Sequence, residues 1–215
     1  MNSYIREPIN GLTHLLGAVL AFFGLIALVI KGAQTTATSI EIFSLILFGV
    51  SMILLYTASA TYHMVIATNY VLSWLRKIDH AMIFILIAGT YTPYCVIALQ
   101  GRIGWTLLFI IWVTAISGVA FKLIWFHCPR WLSTLLYIVM GWLIIFVASP
   151  LSDSIERNGL LLLIIGGVIY TIGGIIYALK PKWLESKYLG FHEIFHLFIL
   201  AGSFTHFLSV YLYVL

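Results

Sequence analysis

The sequence predicts an all-α, polytopic membrane protein: seven transmembrane helices in a single domain over 1–215, with the N-terminus cytoplasmic and the C-terminus outside. Three observations carry this. Of the 215 residues 62% are hydrophobic and 8% charged, whereas a soluble domain carries about a quarter charged residues. The apolar residues gather in runs of the roughly 20 residues that a helix needs to cross a bilayer, where lipid offers the backbone no other partner. The lysines and arginines concentrate on alternate connections between those runs. A mean hydropathy of +1.09 leaves no room for a large water-soluble domain.

The runs fall at roughly 11–31, 41–66, 79–99, 104–124, 132–150, 159–179 and 190–213. The first is too long for a signal-peptide core and has no small-x-small cleavage site, so it is read as retained. The second closes on "YTASATYHM" and the third opens on "RKIDHAM". The sixth carries Gly166-Gly167 and Gly173-Gly174, pairs that suit close helix packing. The seventh opens on "GFHEIFHLF" and has no Asp, Glu, Lys or Arg beyond Glu193. Cys95 and Cys128 fall near opposite membrane faces, so free thiols are expected.

Short connections orient the chain. One side collects Arg6, Arg76, Lys77, Lys122, Arg130, Lys180, Lys182 and Lys187; the other has Lys31, Arg102 and Arg157. Eight against three places the first set in the cytoplasm. The pI of about 9.1 then reflects inner-loop cations facing anionic lipid, and nucleic-acid binding has no support. A multi-pass protein of the cell (plasma) membrane is expected, with membrane lipids as substrate or ligand; a homo-oligomer is left open.

With that topology, Ser59 and His63 at the end of the second helix, Asp79 and His80 at the start of the third, and His192 and His196 at the start of the seventh share one depth near the inner boundary. Ionisable groups inside a membrane are costly and usually functional. His192 and His196 are four apart, about 40° round one helix face, and can present two imidazoles to one ion. His63 from a neighbouring helix completes a three-histidine set and leaves a fourth tetrahedral position open, the arrangement of a catalytic zinc.

His192-Glu193-Ile194-Phe195-His196 also matches the H-E-x-x-H of zinc proteases. Those proteins take a third ligand downstream, but the nineteen residues after His196 contain no acid. His206 lies about 80° round the helix and some 15 Å along it, out of reach of the same ion. The third ligand has to come from upstream. Glu193 is either a base or a solvated interfacial charge; His80 and His206 read more readily as packing residues, and His127 as an interfacial loop residue. Glu7, Asn10 and His14 follow helical spacing, and either support the site from behind or cap and anchor the first helix.

The residues "SATYH", "DHAMIFILIAGTYTP", "FHEIFHLFILAGSFTHF" and "EPINGLTHLLGA" together resemble the hemolysin III family, the bacterial branch of the progestin and adipoQ receptor group that includes the adiponectin receptors. Alkaline ceramidases are wider relatives. The resemblance covers essentially the whole chain. It implies seven helices, an inside N-terminus and zinc (Zn2+) near the cytoplasmic face, with His63, His192 and His196 as ligands, Asp79 holding a zinc-bound water and Ser59 as a nearby hydroxyl. It makes an acid at Glu193 dispensable and so favours Asp79 as the base. The function expected is a zinc-dependent hydrolase of lipid amides or esters, ceramidase-like, serving membrane-lipid homeostasis. The alternatives are a lipid-sensing, receptor-like protein braced by structural zinc, a cytolysin as the family name suggests, and an intramembrane protease. Permanently inserted helices argue against a secreted toxin.

Overall fold

Seven helical runs long and apolar enough to cross a membrane make up the chain in this computed structural model, which describes residues 5–35, 37–125, 127–186 and 189–215. They are α1 (Pro8–Gln34), α2 (Ser39–Met64), α3 (Asn69–Pro93) continued by a π-helical turn (Tyr94–Leu99), α4 (Gly101–Ile124), a fifth run built from α5 (Arg130–Trp142), a 3-10 turn (Leu143–Val147) and α6 (Ala148–Ser154), then α7 (Arg157–Leu179) and α8 (Phe191–Ser209), closed by a π-helical turn (Val210–Val214). No strand occurs among the described residues. Lys187, counted above among the inner cations, lies outside them.

The third run differs most from the hydropathy reading, which starts it at 79. The helix starts ten residues earlier, at Asn69. Arg76 and Lys77 depress the local hydropathy, yet nothing in this stretch breaks a helix, and Thr68 caps it by accepting from the Val71 N–H at 3.5 Å. Lys77 lies over the Trp74 ring at 4.6 Å, a pairing suited to an interface with one apolar and one wet side. The stretch "NYVLSWLRK", which those runs leave between 66 and 79, is the first two and a half turns of α3.

Lys122, at the inner end of the run 104–124 as expected, is buried in the last turn of α4, 4% exposed. Its Nζ donates to Ser133 Oγ at 2.7 Å, tying α4 to α5. Cys95 and Cys128 are free and buried, toward opposite ends of the bundle as expected.

The fifth run is broken at its middle, and in lipid a broken helix must find other partners for its backbone. Tyr91 of α3 supplies them. Its hydroxyl accepts from the Ile144 N–H at 2.9 Å and lies 2.7 Å from the Gly141 carbonyl, which it can donate to. The glycine pairs of α7 divide the work of packing. At Gly173 a Cβ would come within 2.7 Å of Phe198 on α8, and at Gly174 within 3.1 Å of Thr134 on α5; at Gly167 it would meet only ordinary contact.

The chain before α1 folds back onto the end of α2. Glu7 N–H donates to the His63 carbonyl at 3.0 Å, and the Arg6 guanidinium to the Tyr62 carbonyl at 2.7 Å. The residues "RE" ahead of the first span therefore reach the end of α2 where His63 sits.

Candidate metal centre

Three imidazoles meet where the end of α2 comes close to the start of α8. His63, His192 and His196 have ring centroids 4.6–5.0 Å apart, and each offers a ring nitrogen such that all three lie within 4.8 Å of one another. Nε2 of His63 and Nε2 of His192 are 3.3 Å apart. Two nitrogens held about 2.05 Å from one tetrahedral ion are roughly 3.3 Å apart, so this pair already has the spacing that zinc requires. His63 and His196 are 1% and 2% exposed. Imidazole donors in this number suit zinc and leave a position open for chemistry.

Two of the rings are held from behind. Nδ1 of His63 lies 2.5 Å from Glu7 Oε2, so it carries the proton and donates it to the carboxylate, and the lone pair of that ring is left on Nε2. This carboxylate–histidine arrangement is the usual support of a metal ligand. Glu7 Oε1 is balanced by the Arg6 guanidinium at 3.2 Å. His196 is stacked on His14, centroids 3.6 Å apart and planes within 8°. Glu7, the residue at the N-cap of α1, thus lies against His63 and His14 against His196, while Asn10 bonds to Glu193.

Glu193 is a different matter. Its Oε2 accepts from the Gly190 N–H at 2.9 Å, capping α8, and its Oε1 accepts from Asn10 Nδ2 at 2.8 Å. Both carboxylate oxygens are therefore occupied in tying α1 to the start of α8. The H-E-x-x-H pattern is a candidate ligand pair with a helix cap inside it. His80 also has both nitrogens engaged: Nδ1–H donates to the Arg76 carbonyl at 2.7 Å, and Nε2 accepts from the Tyr177 hydroxyl at 2.9 Å. His206 lies well along α8, its ring centroid 5.2 Å from that of Tyr170. His127 is exposed, as a loop residue should be.

Asp79 and Ser59 do not touch the ring cluster as ligands but share a cavity with it. The cavity encloses about 660 Å³ and is walled almost wholly by apolar side chains of α2, α3, α5, α7 and α8. His14, Ser59, Asp79, His192 and His196 supply polar groups at one end. Along α8 it runs from His192 to His206, about 21 Å at 1.5 Å per residue, or some two thirds of the hydrocarbon core. Ser59 Oγ is buried without a hydrogen bond of good geometry, although the Asp79 carboxyl is close enough to interact with it. The Asp79 side chain is 13% exposed.

A smaller cavity of about 150 Å³ lies against the same histidines, lined among others by Glu7, His63, Arg76, Arg130 and Tyr177. Tyr177 and His192 line both cavities, so the cluster sits in the wall between an apolar chamber and a polar one. Arg130 and Tyr177 escape sequence reasoning. Arg130 counts there only as an inner-loop cation, and Tyr177 is hidden in an apolar run. The guanidinium of the one lies 5.6 Å from the ring centre of the other.

Replacing Glu7 with alanine removes the acceptor for His63 Nδ1. Metal affinity is expected to fall about 10- to 100-fold, read by competition with a chromophoric chelator. Unchanged affinity would show that Glu7 does not orient the ring.

The chain matches the family model described as haemolysin-III related over residues 2–207. It is 41% identical to hemolysin-3 of Bacillus cereus, over 100% of this chain and 95% of that protein. It is 40% identical to the hemolysin-3 homolog of Bacillus subtilis (strain 168), over 97% of this chain and 95% of the other. A more distant likeness, 22% identity over 78% of this chain and 68% of the relative, links it to the monocyte to macrophage differentiation factor of Homo sapiens.

Proposed function

The chain belongs to the haemolysin III family, and from that premise we propose that it is a zinc-dependent hydrolase cleaving an amide or ester bond of a lipid within the plasma membrane. One observation carries the reading: a three-histidine cluster, an acid and a hydroxyl converge on the end of a long apolar cavity inside the bundle. A cavity of this volume and lining takes a hydrocarbon chain, and its polar end is where a headgroup linkage would come to rest.

His63, His192 and His196 would hold a zinc ion, which would supply polarisation of the scissile carbonyl and a stronger water nucleophile near neutral pH. Glu7 keeps His63 in the tautomer that leaves its Nε2 lone pair free to act as a ligand. An Asp79 carboxylate oxygen takes the proton of the attacking water and returns it to the leaving nitrogen or oxygen. The Ser59 hydroxyl donates to the carbonyl oxygen as it gains charge. The apolar walls hold the acyl chain and keep bulk water from the reacting bond. The excess of lysine and arginine on one set of connections supports placing this end of the bundle, with the N-terminus, on the cytoplasmic side.

The test is turnover by purified protein in nanodiscs containing ceramides and phospholipids, with released fatty acid measured by mass spectrometry. Release that stops with a chelator and returns with zinc is expected. A folded protein holding one zinc per chain that cleaves none of these lipids would mean the metal braces α2 against α8, and the hydrolase reading would be withdrawn.

A further inference from the structure

The smaller cavity against the histidine cluster has a chemistry that the hydrolytic residues leave unused. Of the nine residues that line it, only Phe191 lacks a polar side-chain atom. Two of the nine are arginines, Arg76 from α3 and Arg130 from the first turn of α5. Both are close enough to the Tyr177 hydroxyl to act on it electrostatically, and Tyr177 is on the wall of the same cavity. Two helices thus bring two guanidinium groups to one small space.

The positive charge there is not cancelled by the cavity's own wall. Glu7 is the one acid among the described residues that line it, and its carboxylate is engaged by His63 Nδ1 and by the Arg6 guanidinium at 3.2 Å. Among the described residues Arg130 has no carboxylate partner; its guanidinium lies 5.6 Å from the Tyr177 ring centre. No side chain caps the start of α5 and no acid stands in its first turn, so the positive end of that helix adds to the same field. A partly buried guanidinium without a counter-charge carries a desolvation cost. An oxyanion relieves it, and the guanidinium fork matches pairs of phosphate oxygens. The cavity, at about 150 Å³, is about five times the roughly 30 Å³ share of one water, and a phosphate group has five heavy atoms.

Position decides which part of a ligand carries that anion. Tyr177 and His192 line both cavities, so a scissile linkage at the cluster leaves the acyl chain in the large apolar cavity and the headgroup side in the small one. We propose that Arg76 and Arg130 form a phosphate subsite for the headgroup of the substrate. This rests on the lipid-cleaving reading of the large cavity and narrows its substrate class to acyl lipids that carry a phosphate, in preference to uncharged ones such as ceramides. The two arginines bind and orient; the reacting bond stays with the histidine cluster, Asp79 and Ser59.

The experiment is equilibrium binding by calorimetry to the full chain in uncharged maltoside micelles. The probes are octadecyl glyceryl ether, its phosphate monoester and inorganic phosphate; the ethers have no acyl bond to cleave, so binding is read without turnover. The ether phosphate is expected to bind about 10- to 100-fold tighter than the uncharged ether, the worth of a charge-assisted contact, and the gain shrinks with added salt. Arg76→Met and Arg130→Met keep the apolar stem of each side chain and are each expected to lose most of that gain while binding the uncharged ether as wild type does. Arg130→Lys, which keeps the charge without the fork, retains part of it. Inorganic phosphate, lacking the chain, is expected to bind far more weakly than the ether phosphate. Equal affinity for the two ethers overturns the phosphate subsite and leaves the lipid reading standing. So does a preference that survives both methionine variants, or one that a chelator abolishes and they do not, since the metal would then hold the phosphate. Inorganic phosphate binding as tightly as the ether phosphate makes this a site for the free ion and overturns the headgroup assignment. Failure of both ethers to bind overturns the subsite together with the lipid reading of the cavity.

Discussion

His192→Ala is expected to reduce bound zinc from about one per chain to a small fraction of that. Three imidazoles from two helices are needed to close a tetrahedral site, and His192 supplies the Nε2 that faces His63 Nε2 at 3.3 Å. Without it His63 and His196 remain, and two nitrogens do not retain zinc against buffer and chelator. Loss of the ion also loosens α2 from α8, because metal affinity and fold stability are linked. The variant should therefore melt lower than zinc-loaded wild type and about level with wild type stripped of metal. His206→Ala is the control. It alters a histidine of the same helix about 15 Å away and should leave the metal content intact. Metal retained in full by a folded His192→Ala would remove these three histidines as the ligand set; metal lost equally in His206→Ala would show that the assay reads damage to α8.

The physics of lipid made most of the architecture legible. Seven apolar runs become seven spans because the backbone has no alternative, and an i,i+4 histidine pair is a geometric statement as soon as the segment is a helix. His63, His192 and His196 could be brought together from depth alone, since one topology puts the end of α2 and the start of α8 at the same level.

What escaped were features that depend on which side chain turns toward which. The start of α3 was missed because Arg76 and Lys77 lower the hydropathy of a stretch held helical by its Thr68 cap and suited to an interface. The burial of Lys122 was not legible because its partner, Ser133, is on the next helix. The roles of Glu7, Asn10 and His14 stayed open because the outcome hung on the segment before α1 docking onto α2, through the Glu7 N–H and the His63 carbonyl. No local pattern announces that contact. Glu193 shows the converse: a familiar motif suggested chemistry where the carboxylate is consumed by Gly190 and Asn10.

Asp79→Asn is expected to lower lipid turnover by about 10²- to 10⁴-fold, the usual worth of a positioned general base, while leaving zinc content at the wild-type level. The substitution keeps the volume and the ability to accept a hydrogen bond from Ser59, and removes only the capacity to take a proton. Asp79 is the acid on the cavity wall beside the cluster; the other two carboxylates nearby are committed, Glu7 to His63 and Arg6, Glu193 to Gly190 and Asn10. It is on α3, while all three candidate ligands are on α2 and α8, so its loss should separate chemistry from metal binding. Full turnover in Asp79→Asn would dismiss it as the base, and because no second acid among the described residues lines the large cavity, a hydrolytic mechanism would then need the metal alone to activate water. Loss of zinc in the same variant would instead make Asp79 a fourth ligand and turn the open position of the site into a closed one, the mark of a structural ion.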